Sequence, residues 1–270
     1  MREKEIDSIK INEFQIFDRY ENDIIAAFST RFGGASKGDY ESMNLSFYIG
    51  DKNELVFENY KRFSNAIGIE FENLVFSAQK HHNNIKIVKK EDAGKGLIKP
   101  RDYDDIDGLV TNVKGLPLTT LHADCTPIFF YDPINCVIGL AHAGWRGTTM
   151  EIVGNMIDIM VKKFDSNVSN IKIAIGPAIC GKCYEVGEDV KIELDKMSLD
   201  VSEWIIQKDE KYYIDIAQIN KKILLSKGIL NENIELDNLC TKENSEMYFS
   251  HRKHGLKRGC QAAFIQLKNK

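Results

Sequence analysis

The apolar positions of the chain change period several times. "DIIAAFST", "GLPLTTLHADCTPIFFYD", "NCVIGLAHA", "IKIAIGPAI" and "RGCQAAFIQLK" carry short continuous apolar runs, the pattern of buried strands. "NLVFSAQ" reads as a further strand that delivers Gln79 and the pair His81–His82 to its end. Elsewhere the period is helical. "NELVFENYKRFSNAIGI" sets Leu55, Tyr60, Phe63 and Ile67 near one face and stops close to Gly68. The clearest helix follows "GWRG", with Ile152, Val153, Met156, Ile157, Met160 and Phe164 at three- and four-residue spacing. Thr148 with Glu151 fits a capping box at its start. "DIAQINKKILLSKG" predicts a helix from near Asp215 to Gly228. Strands and helices do not alternate strictly, which predicts an α+β class with a mixed-sheet core flanked by helices. No repeat, low-complexity tract or Pro/Ser linker interrupts the pattern, so one domain over residues 1–270 is expected.

Composition narrows the function classes. A hydrophobic fraction of 43% and a charged fraction of 28% belong to a globular protein. The formal net charge of −4 argues against general nucleic-acid binding, and lysines such as Lys89, Lys90, Lys253 and Lys257 read as solvated surface. No apolar stretch approaches the length of a membrane span, and residues 1–20 lack the apolar core of a signal peptide. The six cysteines are scattered, so they are expected to be reduced thiols in a cytoplasm. A special cysteine would then act as ligand or nucleophile.

The chemistry gathers around "GLAHAGWRG", residues 139–147. A strand runs into a histidine and then into a helix start, where unpaired N–H groups and the dipole favour anions. Gly144 and Gly147 let backbone approach closely, and Arg146 adds a bidentate donor for phosphate or carboxylate. Cys125 follows an apolar strand between Asp124 and Pro127, and His81 ends another. If these strand ends converge, two imidazoles and a thiolate make a plausible zinc site with an open fourth position, or a copper site. Taken singly, each histidine reads as a structural one and Cys125 as a small buried hydrophobe. Cys180 and Cys183 form a CxxC with no second CxxC, no thioredoxin context and no H-x-E, and read as incidental. "RFGGASKG" lacks the GK[ST] ending of a P-loop.

Together "TRFGGASKGDYESMNLS", "QKHHNNI", "DGLVT", "HADCTPI", "AHAGWRGT", "IGPAICGKCYEVG" and "CTKENSEMYFSHR" resemble the bacterial polyphenol oxidase or laccase-domain family, also described as purine nucleoside phosphorylases with adenosine deaminase activity. The segments run from about residue 30 to 260 in the family's order. The resemblance implies a layered α/β/β/α fold and one zinc held by His81, Cys125 and His142, with His82 as a neighbour. It implies phosphorolysis of adenosine, inosine or methylthioadenosine to ribose 1-phosphate and free base, and deamination at the same pocket. Cys125, His142 and Asp124 are the catalytic candidates; Arg31, Gln79 and Arg146 are the candidates for substrate and phosphate binding.

Three other readings compete. Copper oxidation of phenols is one, but a blue copper joined to a trinuclear centre would consume more histidines than the six present. One copper could replace zinc at the same site, because Cu²⁺ binds such sites more tightly. A hydrolase using Cys125 as nucleophile and His142 as base is the second, and the resemblance adds editing of cell-wall precursor peptides as its reaction. A zinc-stabilised interaction module is the third. The expected partners are purine nucleosides and phosphate, with no nucleic acid and no membrane, and the chain is expected to be a monomer.

Overall fold

A computed structural model describes residues 1–269. In chain order the strands are β1 (Arg2–Ile6), β2 (Ile9–Glu13), β3 (Ile24–Ser29), β4 (Val75–Phe76), β5 (Ile85–Ile87), β6 (Gly108–Thr111), β7 (Leu118–His122), β8 (Thr126–Asp132), β9 (Val137–Ala143), β10 (Lys172–Ile175), β11 (Glu185–Val186), β12 (Ile205–Lys208), β13 (Lys211–Ile214), β14 (Ile234–Leu236) and β15 (Gln261–Leu267). The helices are α1 (Asn53–Ile67), α2 (Trp145–Thr149), α3 (Ile152–Phe164), α4 (Glu188–Asp195), α5 (Ile216–Ser226) and α6 (His251–His254). No helix is long and apolar enough to cross a membrane among the described residues.

Two six-stranded mixed sheets carry the fold, in the orders β1-β2-β3-β15-β7-β4 and β14-β10-β8-β9-β6-β5. A small third sheet, β11-β13-β12, packs Val186 and Ile214 into the cluster on the helix-covered face of the second. Side-chain alternation decides the layering. Phe28, Leu118, Ala263 and Ile265 of the first sheet pack against Phe129, Ile138, Leu140 and Ala174 of the second. The opposite face of the second sheet, through Ile128, Phe130 and Ala141, takes Ile152, Met156 and Met160 of α3 with Ile219 and Ile223 of α5. The outer face of the first takes Val56, Tyr60 and Phe63 of α1. The result is the expected α+β class, layered helix, sheet, sheet, helix. Each fully buried Phe or Ile stabilises it by about 1.5–3 kcal/mol relative to exposure.

Most predicted elements appear where the periodicity put them. α1 stops at Gly68, whose φ of 75° supplies the left-handed C-cap. α5 starts at Asp215, whose carboxylate accepts the Gln218 N–H at 3.1 Å. The capping box is a correction. Thr148 lies inside α2 and its hydroxyl accepts from Asn220 Nδ2 at 2.8 Å. Glu151 is left-handed, with φ of 55°, and makes no side-chain cap. The periodic segment is therefore two helices with a corner at residues 150–151. Tertiary pairing of Thr148 with α5 outweighs the local cap.

Register brings the chemistry to one end of the second sheet. β8 and β9 are antiparallel with Pro127 opposite His142, so Cys125, one residue before β8, lies beside the end of β9. β6 pairs β9 with Gly108 opposite Ala141, which sets Asp107 against His142. β4 runs parallel to β7 in the first sheet, and the chain beyond it crosses to the same end.

Candidate active site

His81, Cys125 and His142 each place one ligand atom within 4.8 Å of the others. Zinc bonds of about 2.3 Å to sulfur and 2.0–2.1 Å to nitrogen require donor separations of roughly 3.3–3.6 Å. A small contraction closes that gap. The two imidazoles meet edge-on with centroids 4.9 Å apart. A Cβ on Gly144 would come within 3.2 Å of both Cys125 Sγ and His81 Cδ2, so a side chain there would press on two donors at once. At Gly147 the obstacle is backbone, the His82 carbonyl at 2.8 Å.

Asp107, fully buried, organises the set. Its Oδ1 meets His142 Nδ1 at 2.8 Å, which turns Nε2 of that ring toward Cys125. The same carboxylate accepts the backbone N–H groups of Lys80, His81 and His82 at 2.9–3.1 Å. His81 sits there with a φ of 65°, outside the usual range for a side-chain-bearing residue. One carboxylate therefore orients one ligand ring and holds the strained loop of the other, the usual support of a metal-binding histidine.

The electrostatics follow from this packing. Burial alone would push the Cys125 thiol up, but the charge of His142 and hydrogen bonds from His142 and His81 outweigh it and bring it down to about 6. Burial works against charge on His142, yet the Cys125 thiolate and the Asp107 carboxylate raise it to about 9.

The neighbouring histidines are engaged elsewhere. His122 is buried, held neutral by burial, with Nε2 2.7 Å from Thr120 Oγ1 and Nδ1 3.0 Å from the Cys125 carbonyl oxygen. His82 Nδ1 meets Asp105 at 2.7 Å. The structure thus groups His81, not His82, with the other two donors.

The remaining sequence candidates divide. Arg146 is exposed, and its guanidinium lies 4.2 Å over the Trp145 ring beside the site. Asp124 is buried, left-handed at φ 91°, and both its oxygens are used: Oδ1 accepts from Thr241 Oγ1 at 2.6 Å and Oδ2 from the Arg252 N–H at 2.7 Å. That makes it a brace. The Gln79 amide donates to the Leu121 carbonyl and accepts the Leu121 N–H, both at 2.8 Å, extending the β4–β7 pairing toward His81. Arg31 donates to the carbonyls of Glu41 and Ser245 and lies 4.7 Å over the Phe249 ring. Its guanidinium ties loops together.

Sequence reasoning assigned no role to Asp107, Tyr184 or Arg252. Tyr184 lines a small apolar hollow with Trp145, Ile179 and Ile216, floored by Asp124 and Cys125. Arg252 lies 5.1 Å over the Tyr184 ring and donates to the Glu185 carbonyl at 2.7 Å. Burial pushes the Tyr184 phenol up, while Arg252 and Arg146 both act on it from nearby. Only the motif segments "DGLVT", "CYEVG" and "SHR" hinted at these residues. Cys180 and Cys183, read from the sequence as incidental, lie together with Cys240 and Glu243, all four ligand atoms within 4.8 Å.

The family described as multi-copper polyphenol oxidoreductase laccase matches residues 25–268. A Bacillus subtilis protein named purine nucleoside phosphorylase YlmD is 33% identical over 97% of this chain and 95% of its own. A Staphylococcus epidermidis protein named purine nucleoside phosphorylase SERP0752 is 34% identical over 98% and 99%. Among solved structures, a Bacillus licheniformis hypothetical protein YfiH superposes with a TM-score of 0.91 at 30% identity, covering 98% of this chain and 99% of that one. YlmD from Geobacillus stearothermophilus gives 0.89 at 31% identity over 98% of each.

Proposed function

The chain belongs to the multi-copper polyphenol oxidoreductase laccase family, and we propose that within it this protein is a zinc-dependent purine nucleoside phosphorylase. The relatives that bear the phosphorylase name carry the reading across nearly the whole chain. The observation that supports it most is the Cys/His₂ donor set with a single shared carboxylate behind it. Three protein donors leave one position open, and zinc held there would supply a Lewis acid able to polarise substrate or lower the pKa of water to about 7.

The residues around that position suit a nucleoside and an anion. Trp145 and Tyr184 wall an apolar hollow, a surface for a purine face. Arg146 and Arg252 flank Tyr184 and offer guanidinium donors to phosphate, a role in which Arg252 takes the place expected of Arg31. In phosphorolysis a phosphate oxygen bonds to the anomeric carbon while the bond to the purine nitrogen breaks, its electron pair leaving with the base. The two arginines hold and orient the nucleophile; Asp124, a catalytic candidate from the sequence, acts here by fixing the Arg252 backbone. Asp107 keeps the His142 ring turned and the His81 loop in place. Adenosine, inosine and methylthioadenosine are the proposed substrates, with deamination of adenosine as a second reaction of the same hollow.

A multicopper oxidation finds no support in the donors. Among the described residues, the cluster that contains histidine offers two imidazoles, and His82, His122 and His254 are hydrogen-bonded to other partners. The test is turnover of adenosine with and without phosphate. Adenine and ribose 1-phosphate appearing only with phosphate, and absent in Cys125→Ser, is the expected result. Inosine formed without phosphate would make deamination the main activity. A nucleoside-inert protein would overturn the reading and return Cys125 to the hydrolase alternative.

A further inference from the structure

The second thiol cluster has the construction of a metal site. Cys180 and Cys183 come from one tight turn, in which the Cys183 and Tyr184 N–H groups donate to the Cys180 carbonyl at 2.9 and 3.0 Å. Cys240 and Glu243 come from a second turn of the same spacing, where the Asn244 N–H and side-chain amide both donate to the Cys240 carbonyl at 2.9 Å. A short parallel bridge between Ala178 and Cys240 clamps the turns together, with the Thr241 N–H donating to the Ala178 carbonyl at 3.0 Å. The four ligand atoms lie within 4.8 Å of one another.

We propose that Cys180, Cys183, Cys240 and Glu243 bind a zinc ion as a closed structural centre, separate from His81, Cys125 and His142. The Cys180 N–H points at Cys240 Sγ at 3.3 Å, the kind of donor that stabilises a metal-bound thiolate. Three thiolates and one carboxylate select zinc over calcium or magnesium by softness, and four protein donors leave no open position. Cys240 is buried while Glu243 is exposed, so the ion has a route in and a buried anchor.

The centre's place explains its use. Asp124, next to Cys125, accepts from Thr241, next to Cys240, and the Ile179 N–H donates to the Asp124 carbonyl at 3.0 Å. A zinc joining the two turns would therefore fix the floor of the hollow and the segment bearing Tyr184, just before β11. Its existence does not depend on the activity proposed above.

The test is zinc per chain in full-length protein prepared under reducing conditions. Wild type is expected to hold about two equivalents, Cys125→Ser and Cys240→Ser about one each, and the double variant about none. Cys240→Ser with wild-type zinc content would overturn the proposal. Cobalt substitution in the Cys125→Ser background serves if Cys240→Ser fails to fold. Strong thiolate-to-cobalt absorption weakened by Cys183→Ser supports the site, and its absence contradicts it. A Cys180–Cys183 disulfide in protein isolated without oxygen would also contradict it. Wild type holding about one zinc, unchanged by Cys125→Ser and lost in Cys240→Ser, would count against the active-site reading and leave this one standing.

Discussion

Two thiol-bearing clusters lie on either side of the Asp124–Thr241 hydrogen bond, and they are built to different plans. The first takes Cys125 and His142 from the ends of β8 and β9, inside a rigid two-sheet core, and His81 from a left-handed loop position. A buried carboxylate stands behind it, and its donor set has room for a fourth, exchangeable ligand. The second takes all its donors from two short turns, with no histidine and no carboxylate orienting its ligands. Placement on strands with a supporting shell is what chemistry at a metal demands, because a displaced ligand misplaces substrate. Placement on turns joined by four donors is what a cross-link demands. On the proposed reading, the contrast teaches that donor number and support distinguish a working site from a fastening one.

Removing one donor from each cluster should separate the roles. Cys125→Ser is expected to abolish phosphorolysis, by about 10³-fold or more in kcat, while far-ultraviolet circular dichroism stays native. Asp107→Asn, which keeps the shape but removes the charge behind His142, should cost roughly 10–100-fold in metal affinity or activity. Chelator competition measures it, and an unchanged affinity would show that the carboxylate merely fills space. Arg146→Ala should raise the KM for phosphate by about 10-fold with a smaller change for adenosine, seen in two-substrate kinetics. Cys240→Ser should act on stability first, lowering the thermal midpoint by about 5 °C or more in metal-replete buffer. Thr241→Val, which deletes one buried hydrogen bond to Asp124, should cost about 1 kcal/mol in denaturant unfolding.

The two clusters were also unequally legible. Continuous apolar runs placed β7, β8 and β9 because buried strands must be apolar on both faces, and the strand ends then pointed to Cys125 and His142. His81 was legible as the end of "NLVFSAQ", although β4 proved to be only Val75–Phe76. Asp107 was not, since its role depends on β6 pairing with β9 across more than thirty residues of sequence. Arg31 and Gln79 have the right chemistry for substrate, but backbone carbonyls left unpaired at loop and strand ends capture their donors. The second cluster stayed hidden for the same reason as Asp107. Its CxxC was visible, but Cys240 and Glu243 reach it through a bridge at Ala178 that no local period announces. Thr148 and Glu151 had the letters of a capping box, and the Thr148–Asn220 contact overrode them.

The most direct test of the account is adenosine phosphorolysis by metal-stripped protein as zinc is added back, followed alongside zinc bound per chain. Adenine release that is absent at first, requires phosphate, and rises in step with zinc protected by His81, Cys125 and His142 is the predicted result. Full turnover by protein shown to be metal-free would contradict it.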